Sequence, residues 1–76
     1  MTLEAEFTIE PFKDGDPGPH VTAALAAARE HDVIVEVGPF GSAIRGEDAA
    51  ALAAMHDMLC AAMAAGATRV SLQVSR

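Results

Sequence analysis

The side chains whose types invite chemistry are His20, His31 and His56, the thiol of Cys60, the hydroxyl of Ser42, and the carboxylates Glu4, Glu6, Glu10 and Glu36. An imidazole can carry a proton or hold a metal near neutral pH. A thiol or hydroxyl attacks only with a base beside it. His20 and His31 fall at opposite ends of one predicted helix, too far apart to share a metal. His56 falls at the edge of the apolar stripe of a second helix. Three partly exposed histidines are the expectation. Ser42 and Cys60 have no evident base partner, and Cys60 reads as a small boundary residue of its helix. Glu4, Glu6 and Glu10 lack the spacing of a calcium loop and read as a solvated or interface face. Met55, Met58 and Met63 read as core filler. No nucleophile–base pair is visible, so no enzyme, catalytic residue, metal site or resident cofactor is expected.

Bulk properties narrow the field further. The 76 residues predict one small domain, 1–76. The chain is 51% hydrophobic but only 4% aromatic, and much of the apolar content is Ala. A thin core is expected, and copies of the chain covering more surface would help it. The net charge of −6 argues against nucleic acid or an anionic membrane as partner. It is compatible with a cationic small ligand. A single cysteine excludes an internal disulfide and fits a reducing compartment. The acidic Met-Thr-Leu-Glu-Ala-Glu start does not read as a signal peptide, and no run reaches transmembrane length. A cytoplasmic protein is the expectation.

The elements that must position these residues centre on Val33 to Glu47. Val33, Ile34, Val35 and Val37 are β-branched and suit a half-buried pleated surface. Gly38, Pro39 and Gly41 mark a reversal, with Gly free to take φ > 0 and Pro fixing φ. Two strands, 33–38 and 41–46, are predicted on either side. Glu47 and Asp48 then open a helix with negative charge at its N-terminus.

Upstream, Leu3 to Glu10 alternates, with Leu3, Ala5, Phe7 and Ile9 on one side, so a strand with one buried face is predicted. Pro11 ends it. Residues 13–19 form a loop by composition. A helix is predicted over 19–31, with Pro19 in its first turn and Val21, Ala24, Leu25 and Ala28 as its stripe. Downstream, a helix over 47–65 should bury Leu52, Met55, Leu59, Ala62 and Met63, and Gly66 should stop it. A last alternating strand, 69–74, turns Val70, Leu72 and Val74 inward.

The order β-α-β-β-α-β predicts an α+β, ferredoxin-like fold: a four-stranded antiparallel sheet with both helices on one face. Right-handed crossovers put the first and third strands in the centre. The helix-free face should carry Glu4, Glu6, Thr8, Glu10, Glu36, Ser71 and Gln73, with Ile34 among them. Three functions common on such a frame fail on residue type. A soft-metal chaperone needs two cysteines. An RNA-binding sheet needs exposed aromatics. An acylphosphatase-like site uses an Asn, and the chain has none.

Three segments carry a resemblance. Glu6-Phe7-Thr8-Ile9-Glu10-Pro11, the run from Val35 to Gly46 through Gly38-Pro39-Phe40-Gly41-Ser42, and Ala65-Gly66-Ala67-Thr68-Arg69-Val70 resemble the small thiamine-binding family. These are single-domain relatives of the tandem YkoF-like proteins, of the UPF0045 type. The likeness covers nearly the whole chain. It implies a ferredoxin-like subunit forming homodimers or homotetramers. It also implies non-catalytic binding of thiamine or its hydroxymethylpyrimidine part. Within the matching motif, Glu36 could accept from the exocyclic amine and attract the thiazolium cation. Ser42 could hydrogen-bond a ring nitrogen or satisfy the turn. Phe40 could wall an aromatic ring, as could Phe7, which is otherwise plain core. Backbone groups around Gly41 could add contacts. Arg45 is expected to pair with Glu36 or a neighbouring carboxylate. The alternative function is a self-assembling module that retains no ligand.

Overall fold

Alternation does what it predicts in the first strand. Leu3, Ala5, Phe7 and Ile9 are buried, while Glu6 and Thr8 between them are exposed. The computed structural model describes residues 1–11, 18–38 and 41–76. Its elements are β1 (Thr2–Glu10), α1 (Pro19–Arg29), β2 (Ile34–Val37), β3 (Ser42–Glu47), α2 (Asp48–Ala64) and β4 (Arg69–Ser75). The strands form one antiparallel sheet in the order β2-β3-β1-β4, so β1 and β3 are central. This is the ferredoxin-like arrangement. Most of the expected loop over 13–19, and Pro39 and Phe40 of the expected reversal, lie outside the described residues.

Local chemistry sets the boundaries. Pro19 opens α1, where its missing N–H leaves no bond unmade. The helix stops at Arg29, two residues short of the expected His31. Ala24, Leu25 and Ala28 are buried as expected, and Val21 is half-buried against the same cluster. At the end of α2, Gly66 takes φ +106°. The Ala67 N–H donates to the Ala62 carbonyl at 3.0 Å and the Gly66 N–H to the Met63 carbonyl at 3.3 Å. That pair of bonds is a Schellman stop, which needs a residue at ease with positive φ.

Alanine lets the two helices lie close. Ala24 and Ala28 of α1 and Ala54 and Ala62 of α2 are all fully buried in one cluster with Phe7, Ile9, Ile44 and Met58. A second cluster joins Leu3 and Ala5 to Ala51 and Met55. Here α2 corrects the expected stripe. Its buried residues are Ala51, Ala54, Met55, Met58 and Ala62, and Leu52 and Met63 are each 54% exposed. With alanines on every side, apolar spacing alone does not choose the inward face. The sheet and α1 choose the one that fits closest.

Three further expectations are corrected. Val74, expected inward, lies exposed near the end of edge strand β4, and Val37 of the opposite edge strand β2 is exposed as well, while Ile34 is exposed as its place on the helix-free face predicts. His20 is buried, not partly exposed, and its Nε2–H donates to the Pro11 carbonyl at 2.7 Å, fastening the start of α1 to the end of β1. Gly38 does not have positive φ, and at both Gly38 and Gly41 a Cβ would sit tight against a backbone oxygen. They serve close approach: a Cβ on Gly41 would lie 3.2 Å from the Phe7 carbonyl oxygen, and the Gly38 N–H donates to the Gly41 carbonyl at 2.7 Å.

Candidate functional site

Strand register decides which polar residues meet on the helix-free face. Glu6 of β1 lies opposite Ala43 of β3, and Ala43 lies opposite Glu36 of β2. On its other side, Glu6 pairs with Gln73 of β4. Side chains of directly paired residues share a face. Gln73, Glu6, Ala43 and Glu36 therefore form one row across the sheet. Two strand spacings, about 10 Å, separate the backbones of Glu6 and Glu36. The residue between them is only a methyl group.

That small floor leaves a hollow of about 460 Å³, open to solvent, bordered by Glu6, Glu36, Ala43 and Gln73. Thr8 and Ser71, paired with each other in the next row of β1 and β4, complete one side. Gly38 and Gly41 border the other side at the reversal. The size falls within the range of small-molecule sites, about 300–1,000 Å³. No His or Lys is among the lining residues described, so the carboxylates and hydroxyls there stand without a nitrogen base.

The electrostatics are one-sided. Arg45 lies in the neighbouring row, where its Nε donates to Glu4 at 3.0 Å and its second guanidinium nitrogen to Glu36 at 3.5 Å. The expected pairing of Arg45 is thus shared between two carboxylates. Their side chains are well exposed, so each pair is worth at most about 1 kcal/mol. Among the described residues, Glu6 has no ion-pair partner. Glu4, Glu6 and Glu36 share this face with the guanidinium of Arg45, and farther along Glu10 pairs with Arg69 at 3.7 Å, so carboxylates outnumber guanidiniums and the hollow is electronegative.

Glu36 and Gly41 both border the hollow, as does Ser42. Ser42 pairs with Phe7 and Val37, one position along from the Glu36 row, so its side chain belongs to the alternate set that includes Phe7. Phe7 itself is core, 3% exposed. Phe40 lies outside the described residues. The residues not singled out as site residues from sequence are Glu6, Thr8, Ala43, Ser71 and Gln73. The β1 alternation already put Glu6 and Thr8 on the polar face. The missing knowledge was the register that sets Glu6 across Ala43 from Glu36.

The remaining histidines sit elsewhere. The His31 Nε2 meets Asp57 of α2 at 2.7 Å, and the His56 Nε2 lies 3.7 Å from the Cys60 Sγ. Cys60 is exposed and has an imidazole beside it, which corrects its reading as a partnerless boundary residue. No helix among the described residues is long and apolar enough to cross a membrane.

No protein-family model matches the chain, and no curated protein does. Solved structures do match its fold over nearly the whole chain. A Streptococcus pneumoniae protein superposes with TM-score 0.73 at 21% identity, covering 99% of this chain and 83% of that one. A domain of unknown function from Bacillus cereus, DUF77, gives 0.69 at 21% identity, covering 97% and 72%. A Thermotoga maritima protein provisionally described as a thiamine biosynthesis/salvage protein gives 0.68 at 17% identity, covering 99% and 81%. At such identities the likeness carries the fold.

Proposed function

We propose that this chain is a member of the small thiamine-binding group and binds thiamine or its hydroxymethylpyrimidine part, without catalysis, on the helix-free face of the sheet. The observation that carries this reading is the pair of carboxylates, Glu6 and Glu36, facing each other across Ala43 in a hollow of about 460 Å³. A cationic thiazolium is attracted by both. An exocyclic amine donates to Glu36, and Thr8, Ser71 and Gln73 supply neutral hydrogen-bonding groups for the pyrimidine nitrogens. Ser42 and the backbone at Gly41 border the reversal, and Phe40 of that reversal is proposed to wall the aromatic ring. The description of the Thermotoga maritima protein as one of thiamine biosynthesis or salvage supports the choice of ligand.

Calorimetric titration with thiamine and with hydroxymethylpyrimidine tests the reading. Ligand at about a hundred times its Kd stabilises the folded state by about 2.7 kcal/mol. In a domain of this size that raises Tm by about 10 °C or more. No heat and no shift in Tm with either ligand at millimolar concentration rejects the proposal. The self-assembling module without a ligand is the reading left standing, favoured by the exposed apolar residues of α2.

A further inference from the structure

The helix α2 is apolar on two sides. Its inward side carries Ala51, Ala54, Met55, Met58 and Ala62. At 3.6 residues per turn, the opposite side is centred on His56 and Cys60, with Leu52 and Met63 flanking them. A helix face meant only for water carries charges. The charged residues of α2 are Asp48 and Asp57, and both lie off this stripe. Asp57 is turned to the end of α1, where it accepts from His31.

We propose that His56 and Cys60 are half of a zinc site, completed by the same two residues of a second copy of this chain. The spacing i, i+4 sets both side chains on one helix face. Zinc binds thiolate at about 2.3 Å and imidazole at about 2.1 Å in tetrahedral geometry. A tetrahedral angle between bonds of those lengths separates the two donor atoms by about 3.6 Å. The observed separation of Sγ and Nε2 is 3.7 Å. The pair already has the bite that zinc requires, with no backbone rearrangement.

One copy cannot finish the site. Among the described residues no cluster of three or more His, Cys, Asp or Glu side chains could hold a metal. Two donors leave half of a tetrahedron open. The face is, however, self-complementary under a two-fold axis. An antiparallel pair of α2 helices crossing midway between His56 and Cys60 brings each His56 to the partner's Cys60. The same operation brings each Leu52, 54% exposed, to the partner's Met63, also 54% exposed. Residue i meeting j and j meeting i is what a closed dimer needs. Each Cys60 loses its thiol proton to solvent on binding, and each His56 binds as neutral imidazole. Two thiolates then balance the charge of one zinc ion, which suits a face without counter-charges.

Titration of metal-free protein with zinc chloride, followed by light scattering, tests this. One zinc per two chains and a doubled mass are expected. Cobalt in place of zinc should give the strong visible bands of a tetrahedral ion together with thiolate-to-cobalt charge transfer. Changes to outer-shell partners alone weaken metal binding by about 10–100-fold, so Cys60→Ser should weaken it by more than about 100-fold. Cys60 is exposed, so that variant leaves the core untouched. His56→Ala should lose both the cobalt spectrum and the zinc-dependent dimer. An unchanged mass at saturating zinc, or equal zinc binding by Cys60→Ser, overturns the proposal. Thiamine binding is measured separately on metal-free protein, so failure at either site leaves the other reading intact.

Discussion

Removing charge from the hollow without removing shape gives the sharpest test of the ligand reading. Glu36→Gln and Glu6→Gln keep the length of each side chain and an accepting oxygen while deleting a negative charge. Two unit charges about 5 Å apart are worth about 0.8 kcal/mol in water and about 3 kcal/mol at an effective dielectric of 20. The Glu36 side chain is 61% exposed and already shares Arg45 with Glu4, so the lower figure applies. Each single variant should therefore weaken thiamine binding about fourfold. Glu6 and Glu36 are about 10 Å apart, far enough for their effects to add. The double variant should lose about fifteenfold, or about 1.6 kcal/mol.

Hydroxymethylpyrimidine is uncharged near neutral pH, and it supplies the control. Its amine can still donate to a carboxamide oxygen, so the double variant should bind it within about twofold of the parent. Salt gives the second control, because the Debye length falls from about 10 Å at 0.1 M to about 3 Å at 1 M. Thiamine affinity of the parent should fall across that range, and that of the double variant should barely move. Isothermal titration calorimetry at both salt concentrations reads all of this. A double variant that binds thiamine as tightly as the parent, or a parent insensitive to salt, refutes the electrostatic argument.

Three other substitutions probe the frame. Ala43→Leu should fill the floor between Glu6 and Glu36 and reduce thiamine affinity at least about tenfold; its Tm should move by less than about 4 °C, because a solvent-facing change is worth about 0.5 kcal/mol. Met58→Ala empties one of the two largest fully buried side-chain positions and should cost about 2–5 kcal/mol, lowering Tm by at least about 10 °C in a circular-dichroism melt. Gly66→Ala meets no atom within 4 Å, so its whole effect is the backbone cost of φ +106°, about 1–2 kcal/mol, seen as a Tm lower by about 5–10 °C. A melt of Gly66→Ala that overlays the parent would remove the Schellman stop from the account of α2.

Most of the fold was legible because its signals are periodic. Leu3 to Glu10 alternates at the period of a strand, and Pro19 and Gly66 punctuate the helices at positions their backbones require. The α2 stripe was not legible, for a physical reason. When alanine occupies positions on every side, no face stands out by side-chain size, and Leu52 and Met63 drew the expected stripe outward. The structure buries Ala51 and Ala54 instead, because small residues let α2 sit close on the sheet and on α1. The candidate hollow was half legible. Its polar face followed from alternation in β1 and β4. Its location depends on register, a long-range property that pairs position 6 with position 43 and position 43 with position 36. Nothing local to any of those three residues reports that pairing.

The same economy of side-chain size makes both surfaces. At Ala43 a methyl group between two carboxylates leaves room for a ligand on the open side of the sheet. In α2 the alanines turned inward leave Leu52, His56, Cys60 and Met63 on the far side of the helix layer. The sheet lies between these two surfaces, so covering one does not cover the other. A dimer closed through α2 keeps Glu6 and Glu36 accessible, whereas one closed through the helix-free face would bury Glu6, which has no ion-pair partner among the described residues, at a cost of several kcal/mol. The α2 dimer proposed above is therefore compatible with a working hollow. It can be separated from the alternative by asking whether thiamine binding survives dimer formation.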